Sequence, residues 1–534
     1  MARGPMTRAD AIAGLSIAGL LLPEAVAYSG IAGLPPQAGV IALLCGLLVY
    51  ALAGSSRFAI VSATSSSAAV LFAATHSAAG LAGPRALGLG LVLMAGVFFV
   101  VAALMKAGAV SNLISKPALR GFALGLALTI VVKQLPIVLG VPAPGGFFAV
   151  VSGLAKAAPQ WNLAGLGLAA ASLIVLRLLR RFPFIPAALL VIAAGIAIDV
   201  LGWSARWGIH PVGAFALDLA WPQWPDVPWS AWPRLGELAA ALALILYVES
   251  YGSIRSLALR HGDSVDANRD LLALGLANGL SALMQGMPVG AGFSASAANE
   301  AAGAQSRAAG LCAAAVVLTA VLALLPWIAH TPEPVLAAIV IHAVGHALDP
   351  RALRPYFAWQ RDRSVALTAF FGVLLLGVLD GLLAAVGLSL LLLLRGMATP
   401  RVEWLGRLGQ GHDFVDLERH PEAVAPPGVL IARPATPLFF GNADPIFSAL
   451  TQRLRAEPGV RHLVLSLEES STLDAGSIEA LAEFSANCPV PLCLARVKDP
   501  VRELLRRVAA PRLPPECYAA WSVDDAVAQV LAGP

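Results

Sequence analysis

Long apolar stretches recur along the first three quarters of the chain, separated by short polar or Gly/Pro-rich breaks, and the pattern ends at Arg395. A helix needs about 20 consecutive apolar residues to cross the hydrocarbon core of a bilayer. On that measure the pattern predicts helices over 9–27, 38–53, 61–75, 86–106, 118–140, 164–180, 184–201, 236–256, 271–286, 293–303, 306–328, 333–348, 364–379 and 381–397. That is about fourteen segments, two of them short. Residues 399–427 are polar, contain the Pro426-Pro427 turn and read as a linker. Beyond 428, the buried-strand patterns VLIARP, HLVLSL and PLCLARV alternate with helical patterns at 444–457, 474–487, 500–508 and 523–531. Such alternation makes a small α/β domain with a largely parallel or mixed sheet. The chain is therefore expected to hold a membrane domain over 1–398, a linker over 399–427 and a soluble domain over 428–534.

Two short segments stand out because they are rich in Gly, Ala and Ser and too short to span as ordinary helices: PVGAGFSASAANEAAG (288–303) and VSATSSSAAV (61–70). A helix that starts inside the membrane turns N–H groups without intrahelical acceptors, and the positive end of its dipole, toward the midplane. That arrangement suits an anion. One such segment in each half of the chain is the pattern of a transporter built from two repeats around a central site, inverted if each half holds an odd number of helices. An acid precedes each segment, with Glu24 lying 41 residues before Ser65 and Glu249 lying 41 before Gly290.

Composition agrees with a chain that lives mostly in lipid, since 58% of residues are hydrophobic, 13% are charged and the mean hydropathy is +0.76. The net charge of +4 conceals an asymmetry, because more than half of the acidic residues lie beyond position 400. Cytoplasmic loops collect Lys and Arg. Alternating segments with both ends inside place Arg57, Lys116, Arg120, Arg177, Arg180, Arg181, Arg255, Arg260, Arg269, Arg307, Arg351, Arg354, Arg361, Arg363 and Arg395 on the inner side. The outer loops then hold Arg85, Lys156, Arg206 and Arg234, so both termini are expected in the cytoplasm. The outer connection 203–234 carries six Trp, including Trp221, which favours the headgroup region. Arg3, Arg8 and the run 11–22 imitate a signal peptide, but Pro23 and Glu24 interrupt the run where a signal needs continuity.

Glu24 and Glu249 lie within predicted membrane helices, where an acid usually faces a cavity or a partner. Each is a candidate for proton coupling or for cation binding, against the alternative of a structural acid paired with a hydroxyl or helix end. Thr64, Ser65, Ser66, Ser67, Ser294 and Ser296 offer hydroxyls to an oxyanion, although small residues also serve close helix packing. Phe293 is a candidate pocket wall. His342 and His346 have the spacing of two metal ligands on one helix face, but no third ligand is near in sequence, so no metal is expected. Lys133 and Gln134 read as side chains snorkelling toward the outer interface, with contact to a substrate path as the alternative, and Asp266, Asn268 and Asp270 as a helix cap and first turn. The five Cys have no metal or disulfide spacing, and the tail has no phosphate loop, triad or basic nucleic-acid stripe. Nothing in it argues for an enzyme.

LLLPEAVAYSGIAGLPP (20–36) with LVYALAGSSR (48–57) resembles the opening of the sulfate permease (SulP) family, related to solute carrier family 26. ANRDLLALGLANGLSALMQGMPVGAGFSASAAN (267–299) resembles the segment leading into that family's tenth helix, and GVLIARPATPLFFGNAD (428–444) is similar to the start of its STAS domain. The resemblance implies an all-α polytopic membrane domain in a 7+7 inverted repeat, with core and gate parts, followed by a cytoplasmic α/β STAS domain. It also implies a homodimer in the bacterial inner membrane, a small anion as substrate and H+ or Na+ as coupling ion, without a cofactor. Carried over by position, the substrate site falls at Ala63, Thr64, Ser65 and Ser66 and at Gly290, Ala291, Gly292, Phe293 and Ser294, flanked by Glu24 and Glu249. Two positions depart from the family pattern. Ala295 stands where many relatives have a basic residue, which favours entry of a cation with the anion. Ala475 follows Asp474 where related signalling domains have a phosphorylatable Ser, which leaves Ser477 nearby.

The expected function is secondary active, proton-coupled import of a small oxyanion, sulfate foremost, with bicarbonate or a C4-dicarboxylate as alternatives. A passive anion channel, a signalling scaffold and a nucleobase carrier are further alternatives.

Overall fold

The computed structural model describes residues 7–78, 80–108, 115–143, 145–179, 181, 187–213, 222–359, 362–508 and 513–532, apart from the side chains of 324–326, 328, 346, 347, 379 and 382. Arg180, Trp221 and Arg361 and the side chain of His346 thus lie outside the described residues. The chain forms two compact units, Met1–Ser389 and Leu390–Pro534.

The first unit is helical. In chain order it contains α1 (Arg8–Ile31), α2 (Pro36–Ala53), β1 (Val61–Ser62), α3 (Ser65–Ser77), α4 (Pro84–Leu104), α5 (Lys116–Leu139), α6 (Phe147–Lys156), α7 (Leu163–Leu179), α8 (Ala187–Val200) and α9 (Trp203–Arg206). There follow α10 (Trp232–His261), α11 (Ala267–Leu283), β2 (Gly290–Ala291), α12 (Phe293–Ala301), α13 (Ala308–Ile328), α14 (Glu333–Val344), α15 (Arg354–Ala358), α16 (Arg363–Leu376) and α17 (Val378–Ala398), whose last turns from Leu390 on belong to the second unit. Among the described residues, five helices are long and apolar enough to cross a membrane, at Arg8–Ile31, Pro36–Ala53, Pro84–Leu104, Lys116–Leu139 and Trp229–His261. α1 runs without a break through Pro23 and is buried against α2 and α13, as an integral part of the unit.

Helix packing repeats itself between the halves. α4 packs on α10 and α11, α13 packs on α1 and α2, α5 packs on α14 and α16, and α14 packs also on α7. Small residues allow the close contacts, because lipid supplies no hydrophobic drive between helices and association depends on van der Waals approach. A Cβ on Gly96 would stand 2.8 Å from the Gly279 nitrogen, and one on Gly39 would overlap the Ala25 carbonyl oxygen.

The 61–75 helix expected from the sequence begins later, at Ser65. Val61 and Ser62 are extended and pair antiparallel with Ala291 and Gly290, a two-stranded ribbon the apolar pattern did not announce. Non-helical backbone at membrane depth must find partners within the protein, and here the two interrupted segments satisfy each other. α6 occupies a stretch read as a connection.

The second unit holds a five-stranded mixed sheet in the order β4-β3-β5-β6-β7, built from β3 (Val402–Arg407), β4 (Phe414–Asp416), β5 (Val429–Pro434), β6 (His462–Ser466) and β7 (Leu492–Ala495). β5, β6 and β7 are parallel, whereas β3 runs antiparallel to β4 and β5. The helices are α18 (Ala443–Ala456), α19 (Ala475–Asn487), α20 (Asp499–Val508) and α21 (Val523–Ala532). Residues 399–427, read as a linker and entry to the tail, supply β3 and β4, whose half-exposed positions leave no continuous apolar run. Asp474 caps α19, accepting from the Ser477 N–H at 2.8 Å and from the Ser477 hydroxyl at 2.7 Å. Ser477 is fully buried in this cap. These bonds, the hydroxyl's first, hold the Asp474 carboxyl below its ordinary value.

Candidate functional site

A cavity of about 290 Å³ opens where α3 and α12 begin. Thr64 is the N-cap of α3. Its hydroxyl accepts from the Ser67 N–H at 3.1 Å, while the Ser67 hydroxyl accepts from the Thr64 N–H at 3.0 Å. Such a reciprocal box fixes where the helix starts and uses the N–H of Ser67, leaving those of Ser65 and Ser66 without intrahelical acceptors. α12 begins after Gly292, which offers no side-chain cap. Two helix N-termini therefore meet one cavity.

Buried hydroxyl and amide groups hold these two starts in place, some of them across the halves. The Ser67 hydroxyl reaches the Pro288 carbonyl at 3.2 Å, Ser250 Oγ accepts from the Ala291 N–H at 2.8 Å, and Ser296 Oγ accepts from the Ile60 N–H at 3.1 Å. Asn299 donates to the Phe58 carbonyl at 3.0 Å. Asn278, fully buried on α11, accepts from the Val289 N–H at 3.0 Å and donates to its carbonyl at 2.9 Å. Ser281 donates to the Met287 carbonyl at 2.7 Å. The polar residues of ANGLSALM that the sequence leaves unremarked are thus the fasteners of α12. Their three-residue spacing, which puts both on one face of the helix, was the signal that could have found them.

Of the expected site residues, Ala63, Thr64, Ser65, Ser66, Gly292, Phe293, Ser294, Glu24 and Glu249 line the cavity. Gly290 and Ala291 do not. They are buried in β2 and spend their backbone groups on β1 and on Ser250, which corrects their assignment as ligands. The matched spacing of 41 is corrected with them, because α3 starts at Ser65 whereas α12 starts at Phe293, three residues past Gly290. Sequence reasoning missed Tyr28, one turn after Glu24, and Gly252, three residues after Glu249, which share the faces of those acids and also line the cavity. It missed the apolar wall that α5 presents through Phe122, Leu126 and Ile130.

The two acids are held differently. The Ser66 hydroxyl donates to Glu249 Oε2, and the Thr64 and Ser66 hydroxyls lie 2.9 Å apart, so Glu249 is tied to the start of α3. Glu24 is 7% exposed and makes no hydrogen bond among the described residues, while its carboxyl borders the cavity. No Lys or Arg among the described residues lines this cavity. Ala295 is buried in the apolar cluster with Ile17 and Leu21 at the cavity wall, so no fixed positive charge stands there. The arrangement offers an anion two helix N-termini and hydroxyls, and it sets two carboxyl groups beside them. An anion and two carboxylates in one low-dielectric space repel strongly. A proton or a cation that arrives with the anion removes that repulsion. His342 lies on α14 and His346 in the turn that follows it, so the pair does not share one regular helix.

Residues 8–370 match the model of the Sulfate permease family, and residues 420–520 match the STAS domain. A protein of Mycobacterium tuberculosis named "Probable sulfate transporter MT1781" is 31% identical over 509 residues, covering 93% of this chain and 91% of its own length. Among solved structures, the murine Solute Carrier 26 family member A9 anion transporter in the inward-facing state superposes with a TM-score of 0.90 at 21% identity, over 100% of this chain and 93% of that one. The transmembrane domain of a cyanobacterium bicarbonate transporter, BicA, gives 0.63 at 23% identity, over 71% of this chain and 97% of that one. The helical unit and the α/β unit thus have the folds of an anion transporter and its STAS domain, and the chain belongs to the sulfate permease family.

Proposed function

We propose that the chain is a secondary active transporter that carries a small oxyanion, sulfate foremost, across the bacterial inner membrane together with protons. The observation that carries the reading is the Glu24 carboxyl, buried, without a hydrogen-bond partner among the described residues, and bordering a cavity that holds two helix N-termini and no Lys or Arg. A proton on Glu24 or Glu249 supplies the compensation that a fixed cation would otherwise give, and it travels with the anion. Na+ could substitute for the proton at the same carboxyls. The packing supports alternating access, since α1–α4 and α10–α13 form one set and α5, α7, α14 and α16 another, and the first set carries both half-helices. Setting aside the short α6, α9 and α15, the helices number fourteen among the described residues, and the repeated pairings support a 7+7 inverted repeat. In this reading both termini are cytoplasmic, the STAS domain supports a homodimer, and no nucleic acid or cofactor takes part.

The similarity to a bicarbonate transporter favours bicarbonate as the next substrate to try, and the cavity also admits a C4-dicarboxylate. Purified protein in liposomes is offered labelled sulfate, bicarbonate and succinate with and without an inward proton gradient. Sulfate uptake should rise with the gradient, and Glu24→Gln or Glu249→Gln should abolish that dependence. Uptake that ignores both the gradient and the substitutions refutes proton coupling, and a current that does not saturate with anion concentration makes the protein a channel.

A further inference from the structure

α5 presents one face to two cavities in succession. Phe122, Leu126 and Ile130 line the central cavity, and Ile130, Lys133, Gln134 and Ile137 line a second one of about 600 Å³, nearer the C-terminal end of the helix. Spacings of three and four residues keep all of them on one stripe. Ile130 belongs to both walls and is 2% exposed, so a single side chain separates the two spaces along this face.

Lys133 and Gln134, expected to snorkel to the interface, both line this second cavity. The Lys133 ammonium sits 4.7 Å from the centroid of the Phe72 ring, on the same α3 that opens the central site. Among the described residues no carboxylate lies within 4.0 Å of it. A ring face is a weak partner for a cation, worth about 0.5–2 kcal/mol, and leaves the ammonium protons available. Gln134 is 6% exposed and borders the cavity, yet its carboxamide makes no hydrogen bond among the described residues. A buried amide without a partner costs free energy unless something in the cavity bonds to it. The remaining charged or titratable groups that line the space are His210 and the exposed Glu333.

We infer that Lys133 and Gln134 form a second oxyanion site, one helical turn from Ile130, which takes the anion from water before it passes into the central cavity. The inference rests on the anion-transport reading above. The ammonium supplies charge and the carboxamide N–H groups supply direction, a donor set fitted to sulfate or a carboxylate. Glu333 in the same space keeps the site weak, as a relay must be if the anion is to leave it.

The test uses the full-length purified protein. Equilibrium binding of labelled sulfate should show two sites per chain, and Lys133→Gln should leave one. In liposomes Lys133→Gln should raise the KM for sulfate by about fivefold with little change in maximal rate, and Lys133→Arg should stay near wild type. Lys133→Cys should behave like the Gln variant until it is treated with aminoethyl methanethiosulfonate, which restores a positive charge and should restore the KM. Wild type treated in parallel controls for the native cysteines. Because the treated and untreated Cys variant are the same folded sample, a folding defect cannot imitate the result. Wild-type stoichiometry and KM in Lys133→Gln, or no rescue by the reagent, overturns the site while leaving transport intact. Two binding sites in a protein that takes up no anion would refute the transport reading and keep the site.

Discussion

Asn278 is the residue whose replacement tests the geometry of the central site most directly. It touches no part of the cavity, but its carboxamide holds Val289 by both the N–H, at 3.0 Å, and the carbonyl, at 2.9 Å. A third bond, at 2.9 Å, returns to the Leu274 carbonyl of its own helix. Val289 precedes β2, and β2 leads within two residues into α12. Asn278→Leu removes the carboxamide at nearly constant volume and leaves the Val289 N–H and carbonyl buried without partners, at a cost of about 1–3 kcal/mol each. The segment's alternative is to shift toward whatever polar group or water it can reach, which misplaces the first turn of α12. Displacements of about 1 Å at a bound ligand can cost on the order of a hundredfold in rate. The expected outcome is a lower melting temperature for the membrane unit and a drop in sulfate uptake of at least about tenfold, with expression retained because the loss is local. Melting followed by intrinsic fluorescence and uptake in liposomes are measured on one preparation. Wild-type uptake in a variant that melts lower would show that the Asn278–Val289 bonds do not set the position of α12.

Two further outcomes follow from other parts of the structure. Gly39→Ala drives a methyl group into the Ala25 carbonyl beside Glu24, so α2 must move away from α1, and overpacking of this kind should destabilise by about 1–3 kcal/mol in a thermal melt. In the C-terminal unit, Asp524 is bonded to His412 and to Arg407, and these partners, His412 first, hold its carboxyl below the ordinary 3.8. A carboxyl lowered by folding contributes stability that is present above its unfolded value and is lost as the pH falls through its folded value. Melts of the full chain between about pH 2 and 6 should therefore show Asp524→Asn less stable than wild type at the upper end and equal to it at the lower end. A constant difference across that range would mean that the carboxylate charge contributes nothing.

Two expectations about local chemistry meet contacts that one segment alone does not show. Gly290 and Ala291 have the small-residue composition of a ligand loop, but their backbone is committed to Val61 and Ser62 from the other half of the chain. Lys133 and Gln134 sit near the end of an apolar run, where a long polar side chain ordinarily finds water at the interface. Here the space they line is walled also by Phe72 of α3, and no property of α5 alone reveals it. In the C-terminal unit, the strands and helices beyond 428 follow the sequence pattern to within a residue or two, whereas β3 and β4 escaped notice because their half-exposed positions leave no continuous apolar run.

The sequence by itself determined the membrane character of the first unit, the places where helices break, the two small-residue segments with an acid ahead of each, and the order of elements in the tail. These are local properties, written in the hydropathy and side-chain size of neighbouring residues, and the bilayer leaves the backbone few choices once they are set. Tertiary structure decided which of the small residues line the cavity and which pair with another strand, that Glu249 is bonded to Ser66 while Glu24 makes no hydrogen bond among the described residues, and that α5 lines two cavities that share Ile130. Each of those depends on contacts between residues far apart in the chain, such as Ser66 with Glu249, Ile60 with Ser296 and Lys133 with Phe72, and no periodicity encodes which distant partner a buried polar group will meet.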